Sequence, residues 1–177
     1  MLTRSKLDKY HLWVHLRQTY GLLYGCEQDF HSKFDITGEQ FSVLWNIKYI
    51  TATKGRTVIL SDLASFTLRN MNSVSEIVNR MEKAGLVKKI KDLPDRRATR
   101  IELTPKGEEV FSENAMPNFA FVDRLFSTFT DKETANFLKL IKKLRKWMWQ
   151  DFNIDHSKAD PALDDPANID KFLDKLF

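Results

Sequence analysis

Residues 91–107 read KDLPDRRATRIELTPKG, and few chains can absorb such a stretch. Leu93-Pro94-Asp95 is a turn former, TRIEL alternates apolar and polar side chains as a half-buried strand does, and Thr104-Pro105 opens a helix. A second alternating run, LVKKI, precedes the turn, so residues 86–103 read as a two-stranded hairpin. Arg96, Arg97 and Arg100 crowd within five residues near its tip, where they repel one another and bury poorly. Such a hairpin needs either carboxylate partners or an external polyanion.

The segments before the hairpin narrow the choice. In SVSEIVNRMEKAG, Val74, Ile77, Val78 and Met81 recur at i, i+3, i+4 and i+7, which predicts an amphipathic helix stopped by Gly85 at C′. Ahead of it, Ser61 is expected to cap a short helix, SDLASFTL, and Asn70–Asn72 form a polar break between the two. TGEQFSVLWNIKYI opens on the capping-box pair Thr37 and Gln40 and fades into TATKGRT, read as a polar loop. Two short helices across a tight break, followed by a hairpin, make a winged helix-turn-helix.

Long helices flank this unit. Residues 7–34 are uninterrupted by Pro, and residues 105–150 form two more segments. Pro117 is expected to kink or split the first of them, and Thr130 with Glu133 caps the second. Their apolar surface exceeds what a domain of roughly 70 residues can cover, and a two-fold axis is the simplest way to bury it. The expected fold is therefore mainly α with a small β-hairpin wing. Residues 1–35 and 105–150 form a helical dimerisation domain, 36–104 a winged helix-turn-helix domain, and 151–177 an acidic tail. That tail is Asp/Pro-rich and reads as loose, ending in a short amphipathic helix, NIDKFLDKLF.

Charge agrees with a polyanionic partner. Net charge is +4, but the first 150 residues carry +8 and residues 151–177 carry −4. No apolar run approaches the roughly 18 residues that span a bilayer, so no membrane association is expected. The start, MLTRSKLDKYHLW, lacks an apolar signal region, and a single cysteine fits a reducing cytoplasm.

Residues 60–110 resemble the MarR family of bacterial transcription regulators. The carrying elements are Leu63-Ala64, Ile77-Val78-Asn79-Arg80-Met81-Glu82 through Gly85-Leu86-Val87, Asp95-Arg96-Arg97-Ala98, and Leu103-Thr104 with Gly107. The loop TATKGRTV is longer than the family pattern, and the acidic tail has no family counterpart. The resemblance implies a homodimer on a double-stranded, pseudo-palindromic operator, with the helix SVSEIVNRMEKAG in the major groove. Asn72, Ser73, Ser75, Glu76, Asn79 and Arg80 lie off the apolar face of that helix and are its candidate DNA contacts. In the wing the resemblance implies a structural Asp95–Arg97 pair and an Arg96 free to enter a minor groove. Lys88, Lys89, Lys91 and Arg100 suit phosphate.

The same resemblance implies a pocket for a small aromatic effector, with Trp13, His15, Tyr20, Tyr24, Trp45 and Tyr49 as candidate lining, although aromatics at this spacing are more often core. Cys26 is expected to be a buried structural residue, because no cation stands near it in sequence to activate a thiolate. His11 and His15 share a helix face, yet no further ligands at metal spacing accompany them. No cofactor or catalytic constellation is expected, and the reading is a regulator, more a repressor than an activator. The rival is a winged-helix module that uses its basic hairpin on protein or RNA.

Overall fold

The computed structural model describes residues 3–92, 98–151 and 166–176. In chain order these form α1 (Arg4–Ser32), α2 (Gly38–Lys54), β1 (Val58–Ile59), α3 (Leu60–Thr67), α4 (Met71–Lys83), β2 (Val87–Ile90), β3 (Arg100–Leu103), α5 (Pro105–Phe126), α6 (Asp131–Asp151) and α7 (Pro166–Leu176). The chain divides into two compact units, Met1–Gly38 and Glu39–Phe177.

The first unit is essentially α1. Several of its apolar side chains are open: Leu12 is 59% exposed, Trp13 57%, Tyr20 69% and Leu22 71%. Cys26 is exposed as well, which corrects the expectation of a buried cysteine. Helical spacing showed that Cys26 belongs to a partly apolar helix, but not which of that helix's side chains are exposed.

The second unit has its core where α2, α3 and α4 meet the sheet. Leu44 and Ile50 of α2, Leu63 of α3, and Val74, Val78 and Met81 of α4 are wholly buried. The period read from residues 74–81 is thus the inward face of α4. The helix ends where Gly85 takes φ +73°, and the Leu86 N–H donates to the Met81 carbonyl at 2.9 Å.

The sheet has three antiparallel strands in the order β1-β3-β2, one more than the hairpin alone. Val58 and Ile59, directly after the stretch read as a polar loop, pair with Ile101 and Arg100. A two-residue strand leaves no alternation to detect, which is why it escaped the sequence pattern.

Local caps refine the helix starts. Asp62, not Ser61, closes the start of α3: its carboxylate accepts the Ile59 N–H at 3.0 Å and both Arg56 guanidinium nitrogens at 2.7 and 2.8 Å. Burial alone would raise the Asp62 pKa, but the Arg56 and Ile59 hydrogen bonds outweigh it and hold the carboxyl below its ordinary range. At α6, Thr130 and Glu133 form the expected reciprocal box, the Thr130 N–H donating to the Glu133 carboxylate at 2.9 Å. Pro117 does not split α5, which runs unbroken through it from Pro105 to Phe126. Pro removes one N–H and crowds one carbonyl, a local cost that a 22-residue helix accommodates.

The LTPKG segment forms the corner between sheet and helix. Thr104 Oγ1 accepts the Gly107 N–H at 3.1 Å, the Thr104 hydroxyl donates to the Gly85 carbonyl, and the Thr104 N–H donates to the Leu86 carbonyl at 3.1 Å. Gly107 lies so close to that corner that an added Cβ would stand 2.0 Å from the Leu86 oxygen.

Residues 166–176 carry the short helix expected at the end of the tail, but they are not loose. They form a helix whose Phe172 is only 1% exposed. The Phe172 ring meets Trp45 edge-on at 4.9 Å and Tyr49 at 5.3 Å. Aspartate and proline content governs average behaviour, but one aromatic residue on an amphipathic turn is enough to anchor a short helix.

Candidate nucleic-acid interface

Asn70 builds the N-terminus of α4. Its backbone is extended, and its side-chain oxygen accepts the Ser73 N–H at 2.8 Å, so Asn70 is the N-cap and the polar break is two residues shorter than read. The turn before it is tight: Leu68 takes a left-handed conformation, φ +52°, and is exposed. A leucine there stores roughly 1 kcal/mol of backbone strain.

With Val74, Ile77, Val78 and Met81 turned inward, the outer face of α4 presents Asn72, Glu76, Asn79 and Arg80 as exposed residues, with Ser73 and Ser75 half-buried. This face carries only polar and charged side chains, apart from Met71 at its start. Amide, hydroxyl and guanidinium groups supply the donors and acceptors that match base edges and phosphates.

The hairpin is stitched to this helix. Lys89 of β2 donates to the Asn79 side-chain oxygen at 2.7 Å and pairs with Glu82 at 2.8 Å, while its own N–H donates to Glu82 at 3.2 Å. The Lys89 hydrogen bond is the largest cause holding the Glu82 carboxyl below its usual value. On the sheet, register sets Lys88 opposite Glu102, and the two pair at 2.8 Å. That contact is the largest cause of the lowered Glu102 pKa. At the loop end of the hairpin Arg100 binds Asp92 with two guanidinium nitrogens, at 3.2 and 2.6 Å, and also meets Glu102.

The cations expected to serve phosphate therefore differ in state. Lys88, Lys89 and Arg100 each hold a carboxylate within the chain. Lys91 is exposed and, among the described residues, has no ion-pair partner. Asp95, Arg96 and Arg97, the expected wing-tip pair and minor-groove arginine, lie outside the described residues. Sequence reasoning missed Asp92, Glu82 and Glu102 as the groups that fix the wing. The i, i+14 pairing of Lys88 with Glu102 follows from strand register and could have been read once the hairpin was aligned.

The six aromatic-pocket candidates fall in different units. Trp13, His15, Tyr20 and Tyr24 are exposed on α1, where Tyr20 and Tyr24 stack at 6.4 Å and the Arg17 guanidinium lies 5.6 Å over Trp13. Trp45 and Tyr49 are on α2 and face Phe172.

Comparison with known proteins agrees with this geometry. Residues 36–107 match the model of a winged helix DNA-binding domain. The chain is 36% identical over 115 residues to an uncharacterized HTH-type transcriptional regulator, YdcH, of Bacillus subtilis (strain 168), spanning 65% of this chain and 76% of that protein. Its fold is similar to that of AbsC, a MarR family transcriptional regulator from Streptomyces coelicolor, with TM-score 0.70 and 23% identity over 84% of this chain and 97% of that one. It is also similar to MepR of S. aureus in a complex with DNA, with TM-score 0.68 and 21% identity, covering 84% of this chain and 99% of that one. These relatives are regulators rather than enzymes, and no helix among the described residues is long and apolar enough to cross a membrane.

Proposed function

The chain belongs to the MarR family of winged helix-turn-helix transcriptional regulators, and from that premise we propose that it is a cytoplasmic, homodimeric, ligand-responsive repressor of a pseudo-palindromic operator. The observation that carries this reading is the polar outer face of α4, capped by Asn70 and tied through Asn79 and Glu82 to Lys89 of the hairpin. A helix fixed at both ends in this way enters a major groove as a rigid body. Two copies related by a two-fold axis reach successive grooves about 34 Å apart. Residues 1–35 and 105–150 supply the dimer contacts in this reading, and 36–104 supply the DNA contacts.

On the operator, Arg80 suits a guanine edge and Asn72 or Asn79 an adenine edge, with Ser73 and Ser75 near phosphate. Lys89 holds the Asn79 side chain, so duplex contact exchanges that hydrogen bond rather than ordering a free side chain. Arg96 takes the minor groove, a role carried over from the family's Asp-x-Arg-Arg wing. The effector in this reading is a small aromatic compound. The open rings of Trp13, Tyr20 and Tyr24 support it more than Trp45 and Tyr49, which Phe172 already occupies.

The test is duplex binding across a salt series. The parent should select a sequence from a random duplex pool and lose affinity steeply with salt. Arg96→Ala should cost about 1–3 kcal/mol of binding and lower the salt slope by about one, with the melting temperature unchanged. Arg96→Ala that binds like the parent at every salt concentration would remove the wing from the interface. A parent that prefers single-stranded RNA or a protein to any duplex would favour the rival module.

A further inference from the structure

Among the described side chains of α7, Phe172 alone is buried. Ile169 is 38% exposed, and Leu173 is half-covered. An isolated helix of 11 residues is marginal in water, so the helicity of α7 depends on keeping that one ring seated. The ring touches a relay. Tyr49, itself 2% exposed, meets Phe172 at 5.3 Å on one side and Phe66 of α3 at 5.7 Å on the other. The Lys54 ammonium lies 5.5 Å over the Phe66 ring. Helix α3 is the partner on which the buried face of α4 rests. A cavity of about 540 Å³, bounded by Ile47, Val58, Ile101 and Leu103 among others, also opens against Phe172. The ring is therefore packed on Trp45 and Tyr49 and borders this cavity.

We propose that α7 is a releasable latch on the DNA-reading helices: Phe172, seated on Trp45 and Tyr49, supports α3 through Tyr49 and Phe66, and its release loosens the α3–α4 pair and weakens duplex binding. The element has the features of a region that opens below the global unfolding transition, namely one anchor, partial exposure and few neighbours. What it supports is the pair of helices whose mutual angle sets how α4 meets a groove. The acidic charge of residues 151–177 adds a second consequence, because a released tail brings −4 near the basic surface.

Amide hydrogen exchange on the full-length parent tests the latch without any variant. The amides of α7 should exchange well before those of the β2–β3 hairpin, and those of α3 should open together with α7. Protection of α7 equal to that of β2 and β3 would make it ordinary core and overturn the proposal. Phe172→Ala in the full chain should then lower α3 protection about tenfold, leave the β2–β3 hairpin unchanged, and weaken duplex affinity by about 5–50-fold. Unchanged α3 exchange in a folded Phe172→Ala protein would break the relay. Loosened α3 with unaltered duplex affinity would equally sink the latch as a control of DNA binding. The affinity arm rests on the function proposed above. If the parent binds no duplex, that function fails, and the exchange arm still decides whether α7 and α3 open together. Should Phe172→Ala not fold, exchange on the parent alone decides between a latch and ordinary core.

Discussion

Gly107→Ala separates two opposed effects whose signs the structure assigns. In an open helix, alanine is favoured over glycine by about 1 kcal/mol. Gly107, however, sits in the first turn of α5, where the new Cβ would stand 2.0 Å from the Leu86 oxygen and 3.0 Å from its carbonyl carbon. Relief to an ordinary contact requires a shift of about 1 Å or more between helix and strand end, and the obstacle is backbone rather than a flexible side chain. The Leu86 oxygen cannot retreat freely, because it accepts the Thr104 N–H at 3.1 Å, and Thr104 in turn caps the helix through the Gly107 N–H. Overpacking of this kind costs about 1–3 kcal/mol, and losing the strained hydrogen bond adds about 1 kcal/mol. After the helix-propensity gain, a net loss of about 1–3 kcal/mol remains. Urea unfolding followed by circular dichroism, at one fixed protomer concentration, reads it as a lowered midpoint with an unchanged slope. A midpoint at or above the parent's would mean that α5 leaves the hairpin with room to spare, and the close contact between Gly107 and Leu86 would be refuted.

Two further outcomes follow from surface and charge. The apolar side chains left open on α1, α5 and α6, such as Trp13 at 57%, Phe119 at 47% and Trp147 at 50%, should be covered by a second copy, so sedimentation at micromolar concentration should show a dimer. A stable, fully folded monomer there would refute this. Asp62 has a folded pKa below its unfolded value of 3.8, so its contribution is complete above that value and fades as pH falls through it towards the folded one. Asp62→Asn should therefore cost about 1–3 kcal/mol at neutral pH and progressively less below pH 4; a difference between parent and variant that stays constant down to pH 2 would contradict the assignment.

How much of this was legible depends on the range of the interaction. The inward stripe of α4, the Thr130–Glu133 box and the turn at Gly85 are set within one or two helical turns, and periodicity or residue type reveals them. The start of α3 was misplaced by a side chain only three residues away, because Ser61 and Asp62 are both good caps and Arg56, beyond the reach of the local pattern, decides for Asp62. Strand β1 was invisible because its two residues exist as a strand only through pairing with β3. The burial of Phe172 was hidden for a different reason. A stretch dominated by Asp and Pro averages to disorder, whereas docking depends on a single ring and on the aromatic slot that α2 happens to offer.

The wing shows the same limit in electrostatic form. Read as a string, residues 86–103 hold a surplus of cations that needs carboxylate partners or a polyanion to complete it. Folded, the strand register and the approach of α4 deliver Glu102 to Lys88, Glu82 to Lys89, and Asp92 to Arg100. These pairs are partly exposed, so each contributes little to stability, and their main effect is geometric: they hold the hairpin against the recognition helix before any DNA arrives. They also change what a phosphate gains. A phosphate approaching Lys88 or Lys89 competes with a carboxylate already in place, and the nearby negative charge reduces the counterion release that each such lysine can add. On the proposed function, the salt dependence of duplex binding should rest mainly on cations outside these pairs, such as Arg80 and Lys91. On that proposal the paired cations set the angle of the interface, and the others supply its electrostatic affinity.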